Sequence, residues 1–165
     1  MQGAQYAPAL PVFELAMKIC MDHGDRMKDI LADTAFSYAR YGEETNMNPQ
    51  TVFGYCLQFH ELRKELNDGT IESREDVATS HTSLAQGYLL LDQPDKAVEH
   101  CQTCIDLEAE FPDHKEHGVM SQFAHIYQAW GMCGLKNYAQ AAELCLKVIQ
   151  YRTKRFGAQD KESIK

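Results

Sequence analysis

The chain has 165 residues, enough for one domain that buries about 70% of its unfolded surface. Lys and Arg total 16 against 24 Asp and Glu, and a net charge of -8 repels phosphate backbones and anionic lipid heads, so neither nucleic acid nor a membrane is an expected partner. Six cysteines would suffice for three disulfides, but they fall inside amphipathic helical patterns rather than loops, which predicts reduced thiols in a cytoplasmic, intracellular protein.

The opening stretch lacks the basic segment and unbroken apolar run of a secretory signal, and no run of about 20 apolar residues follows anywhere. A first helix is expected over 6–22. A second, over 25–41, carries Leu31, Ala35 and Tyr38 on one face. Asn48-Pro49 then reads as an N-cap with proline in the first turn, opening a helix over 49–67. Asp68-Gly69 supplies the stop, and Ser73-x2-Asp76 resembles a capping box that starts a helix over 73–91. Asp92-Gln93-Pro94 repeats the cap-and-proline signal before a helix over 94–111. Two more are expected over 115–133 and 137–156, with Gly42, Gly134 and Gly157 as further stops. Sustained alternation of β-branched residues is missing, so the expected class is all-α with seven antiparallel helices.

Four of these helices share one apolar triplet at i, i+4, i+7. They are Ala9-x3-Phe13-x2-Ala16, Val52-x3-Cys56-x2-Phe59, Ala97-x3-Cys101-x2-Cys104 and Ala141-x3-Cys145-x2-Val148, starting 43, 45 and 44 residues apart. The spacing puts three apolar side chains on one helical face, and the small first residue admits a close neighbour. Between them lie Leu84-Ala85-x2-Tyr88 and Phe123-Ala124-x2-Tyr127, so each repeat reads as two helices. The expected organisation is a single repeat domain over 1–165. It has a half repeat at 6–22, repeats near 25–67, 73–111 and 115–156, and a linker at 157–165, as in a fragment of a longer array.

These residues resemble the tetratricopeptide repeat family: Leu84, Ala85 and Tyr88 match its first-helix signature, and Ala97, Cys101 and Cys104 the small-large-small signature of its second. The interval exceeds the 34 residues usual for that family. The longer variant of kinesin light chains is the better likeness, strengthened by Arg152-x3-Phe156-Gly157 and the acidic stretch after it. The run from Val52 to Leu91 is similar in style to repeats of fungal STAND-type receptors. HEAT and armadillo repeats, of about 40–47 residues, are the rival.

The resemblance implies an α-α superhelix that offers a concave groove, lined by first helices, to a protein or peptide partner, with no catalysis. On this chain the implied groove residues are Phe36, Arg40, Thr79, Thr82, Gln86, Leu90, Gln122, His125 and Ala129. Neutral amides, hydroxyls and short apolar groups would suit a helix or extended segment better than a free carboxylate, which needs charge-assisted donors. The plainer alternative is a solvated spacer. Homo-oligomerisation, or intramolecular docking through exposed end helices, is a further expectation.

No cofactor and no metal are expected. Cys101-x2-Cys104 lacks a second ligand pair, and Cys101 takes the place filled by Phe13, Cys56 and Cys145, so packing explains it better than zinc. His114-x2-His117 reads as a polar helix start, and the remaining histidines have no nucleophile nearby in sequence. No phosphate-cradling glycine loop or nucleophile elbow occurs.

Overall fold

The computed structural model describes residues 9–111 and 118–157, and every regular element among them is helical. The helices are α1 (Ala9–His23), α2 (Lys28–Glu44), α3 (Pro49–Glu65), α4 (Ile71–Leu90), α5 (Pro94–Ala109), α6 (Val119–Gly134) and α7 (Tyr138–Phe156), with a short 3-10 turn at Gly24–Met27. This is the expected all-α class with the expected number of helices. The expected helix starts at 6–8 and 115–117, the pair His114 and His117, and the linker beyond Gly157 lie outside the described residues.

The same turn closes three hairpins. Asn46, Asp92 and Lys136 adopt left-handed backbone with φ of 53°, 56° and 61°. The next amide then bonds back five residues: Met47 to the Gly42 carbonyl at 2.8 Å, Gln93 to Tyr88 at 2.9 Å and Asn137 to Met132 at 2.8 Å. These bonds satisfy carbonyls that a helix end leaves unpaired. Asn48 caps α3 as expected, its Oδ1 accepting from the Gln50 amide at 3.0 Å. At α4 the expectation is corrected: the cap is Thr70, whose hydroxyl oxygen accepts from the Ser73 amide at 3.3 Å, so Ser73 is already inside the helix. Gly42 is likewise no stop. It lies two residues inside the end of α2, where a Cβ would come within 2.7 Å of Val52.

Consecutive helices pack on one another throughout, and α4 also packs on α6. Connections of three or four residues inside the hairpins α2–α3, α4–α5 and α6–α7 make each hairpin antiparallel. The core is accordingly a row of small clusters rather than one centre. Met17, Cys20, Leu31, Ala35 and Phe59 form the first. Ala39, Val52, Cys56 and Leu84 form the next. Ala78, Ala85, Ala97, Cys101, Cys104 and Ala124 follow, then Ala129, Met132, Ala141 and Leu144. Such a row of clusters, with contacts chiefly between consecutive helices, is compatible with stacked repeats, in which each unit touches chiefly its neighbours.

Two buried charges link the hairpins. Arg63 of α3, 8% exposed, reaches Asp29 and Asp33 of α2 at 2.5 Å each and Asp76 of α4 at 3.0 Å. Glu108 of α5, 2% exposed, accepts from the amides of Gly118, Met120 and Ser121 and from the Ser121 hydroxyl, and so caps α6. A carboxylate at a helix N-terminus meets both free N–H groups and the positive end of the backbone dipole.

Candidate functional site

Three first helices, α2, α4 and α6, share one hollow of about 210 Å³. α2 contributes Phe36 and Arg40. α4 contributes Thr79, Thr82, Ser83 and Gln86, and α6 contributes Met120, Phe123 and Tyr127. Five of the nine expected residues therefore meet in one place: Phe36, Arg40, Thr79, Thr82 and Gln86.

The hollow is lined by both polar and aromatic side chains. Gln86 donates its side-chain amide to the Glu43 carboxylate, one turn beyond Arg40 on α2. Burial pushes the Glu43 carboxyl up to about 7, the Arg40 charge and the Gln86 bond opposing it. Arg40 itself is exposed. Thr79 and Thr82 donate their hydroxyls to the Glu75 and Thr79 carbonyls at 2.9 and 2.6 Å, so what they turn outward is acceptor oxygen and methyl. Among its rings, Phe36 is braced by Phe59 at 5.0 Å between ring centroids, and Tyr127 stands edge-on to Trp130 at 5.6 Å. The Tyr127 hydroxyl is pushed up to about 12, first by burial and then by the Glu43 charge. Trp130, 58% exposed, extends this aromatic surface along α6 beyond the hollow.

The α6 part of the expectation is corrected. Gln122 is 7% exposed and accepts from the Arg152 side chain at 2.9 Å. It lines a separate cleft of about 90 Å³ between α6 and α7, together with His125, Lys147 and Tyr151. Ala129, 2% exposed, belongs to the core against Ala141 and Leu144. Leu90 is exposed but lies outside the lining of the hollow.

The cause is register. Setting Leu84-Ala85-x2-Tyr88 on Phe123-Ala124-x2-Tyr127 implies an interval of 39 residues, whereas Gly42, Gly87 and Gly131 recur at 45 and 44, like the second-helix triplets. Gly87 and Gly131 hold equivalent places against the second helix of the preceding hairpin: a Cβ on Gly87 would meet Phe53 at 2.9 Å, and one on Gly131 would meet Val98 at 2.7 Å. A five-residue slip turns a helix by about 140°, which carries a side chain from the groove to the flank. At the interval of 44, Thr79, Ser83 and Gln86 correspond to Phe123, Tyr127 and Trp130. The recurring glycine was the signal that could have found them.

Covalent chemistry has little to work with. Cys101 and Cys104 are 0% exposed, and burial pushes their thiols upward, Cys101 to about 12, so neither is a thiolate near neutral pH. Cys145 does not follow Cys101 into the core: it is exposed because no helix among the described residues covers that side of α7, where Leu144 fills the buried place. No group of three or more His, Cys, Asp or Glu side chains among the described residues is arranged to hold a metal ion, and no helix there is long and apolar enough to cross a membrane. No protein-family model matches the chain, and no curated protein matches it.

Proposed function

We propose that the chain is a hairpin-repeat scaffold of the tetratricopeptide kind, which holds a peptide or helical segment of a protein partner in the groove across α2, α4 and α6 and catalyses no reaction. The observation that carries this reading is the hollow itself, which brings the rings of Phe36, Phe123 and Tyr127 together with Arg40 and Gln86, the latter bonded to Glu43. A concave site of mostly apolar lining with a few converging polar groups suits an amphipathic segment: an apolar anchor seats among the rings, and its polar flank meets the guanidinium and amides. Three copies of one turn, and the two contact glycines Gly87 and Gly131, support a stack that curves by a small rotation per repeat. In this reading the protein works in the cytoplasm, where its free thiols stay reduced.

Selection of binders from a displayed library of helical peptides, followed by titration, tests it. Phe123→Ala and Arg40→Ala are expected to weaken the selected peptides about tenfold or more, a loss typical of groove anchors. His125→Ala, on the other side of α6, leaves them unchanged. Equal affinity for all three variants would sink the groove.

Exposed apolar side chains at both ends favour self-association as the second reading. Val12 and Leu15 on α1 are 65% and 58% exposed, and Tyr138 and Leu146 on α7 are 65% and 56% exposed. Light scattering across a concentration series separates the two, because a monomer at every concentration removes assembly as the role.

A further inference from the structure

Away from the groove, where α3, α4 and α5 meet, three imidazoles gather. The ring centroids of His60 and His81 are 4.6 Å apart, those of His81 and His100 5.1 Å, and Tyr88 stacks on His100 at 5.3 Å. The Nδ1 atoms of His81 and His100 face each other at 2.9 Å, while His60 Nδ1 lies 2.8 Å from the Ser80 hydroxyl oxygen. Ser80 donates its own proton to the Val77 carbonyl at 2.6 Å, so His60 must be the donor to Ser80 and its Nδ1 is engaged. The pair His81 and His100 has no such outlet. Two neutral imidazoles share one hydrogen between two Nδ1 atoms.

We propose that His81 and His100 form a two-imidazole chelate for a divalent d-block cation, with water in the remaining positions. Metal–imidazole bonds of about 2.0–2.1 Å at right angles span about 2.8–3.0 Å between nitrogens, so the observed 2.9 Å is the edge of a tetragonal site. That geometry belongs to Cu(II) and Ni(II) more than to tetrahedral Zn(II). The rings have only to tilt until both lone pairs converge. The ring that holds Nδ1–H passes to its Nε2–H tautomer, so binding releases no proton and both ligands stay neutral. Burial supports this, holding His81 down at about 3 and His100 below its ordinary range, which leaves both rings unprotonated at neutral pH. Both side chains remain partly exposed, so an ion can enter.

The test uses nickel chloride, because Cu(II) would oxidise thiols. Calorimetry is run on the full chain carrying Cys133→Ser, Cys145→Ser, His114→Ala and His117→Ala, which removes the two exposed thiols and the other histidine pair of the sequence. One Ni(II) per chain is expected, with affinity falling about tenfold or more on His81→Ala or His100→Ala and holding on His125→Ala. Unchanged binding in either pair variant overturns the site, as does no binding at about 1 mM metal. Should a variant lose its helical circular dichroism, the unsubstituted chain decides by proton resonance: Ni(II) must broaden the His81 and His100 ring signals before those of His23 and His125. The reverse order rejects the chelate.

Discussion

The Ser121 amide lies 2.6 Å from the Glu108 carboxylate, and through this bond the end of α5 holds the start of α6. Glu108 is 2% exposed and takes two further amides and a hydroxyl, so among the described residues its carboxylate is met by backbone and hydroxyl donors. Glu108→Ala is expected to lower the unfolding free energy by about 2–4 kcal/mol, since it strands buried N–H groups. Glu108→Gln recovers part of that loss by keeping an acceptor. Urea denaturation reads both, and an unmoved midpoint for Glu108→Ala would remove its role as the cap.

Glycine substitutions should differ in sign. A Cβ on Gly131 meets Val98 at 2.7 Å and the Pro94 carbonyl oxygen at 3.1 Å, and the latter is backbone that cannot swing away. Gly131→Ala is therefore expected to cost about 1–3 kcal/mol as α6 is forced off α5. Gly54, inside α3 with nothing within 4 Å, faces open space. Gly54→Ala should raise stability by about 0.5–1 kcal/mol, because alanine is the better helix former. A thermal melt that shifts the same way for both would contradict the packing described.

The Glu43 carboxyl is raised from 4.5 to about 7 by burial, which makes the folded chain the stronger proton binder between those values. Stability from this group is present at low pH and is lost as pH rises through that window. Glu43→Gln keeps an acceptor for Gln86 and removes the charge. Its melting temperature should match the parent near pH 4.5, climb above it as pH rises to 7, and then hold a lead of roughly 2–4 °C, allowing for solvent screening of a half-buried group. A lead that shrinks with pH would reverse the assigned direction.

Thiol accessibility divides the cysteines. Cys133 and Cys145 are exposed, whereas Cys20, Cys56, Cys101 and Cys104 are buried. A disulfide reagent at pH 8 is expected to modify Cys133 and Cys145 within minutes and the other four only at the rate of unfolding, since attack needs both access and thiolate. Rapid loss of all six thiols would mean that the α4–α5–α6 core opens far more readily than its packing implies.

Local chemistry made the helices legible. Asn48 before Pro49, proline at the first turn of α5, and apolar triplets at i, i+4, i+7 are short-range signals. The helices they mark begin and end within three residues of expectation wherever both ends are described. Leu90 apart, the expected α2 and α4 residues line the hollow through the same periodicity, because one helix keeps its own phase. The expected α6 residues do not. The phase of α6 relative to α4 depends on where the two hairpins touch, and at that contact Gly131 lies against Val98 of α5, as Gly87 lies against Phe53 of α3 one hairpin earlier.

The sequence by itself determined the class, the number of helices, the interval between hairpins and the proline-marked starts of α3 and α5, since these follow from backbone capping and a period of 3.6 residues. Tertiary structure alone decided which side of α6 faces the groove, that Cys145 lies bare while Cys101 is sealed, and that His81 meets His100 nineteen residues later on the facing helix. A period records how a helix is divided into faces. What each face meets is set by the close approach of neighbouring hairpins, and that distance is written nowhere in the pattern of one helix.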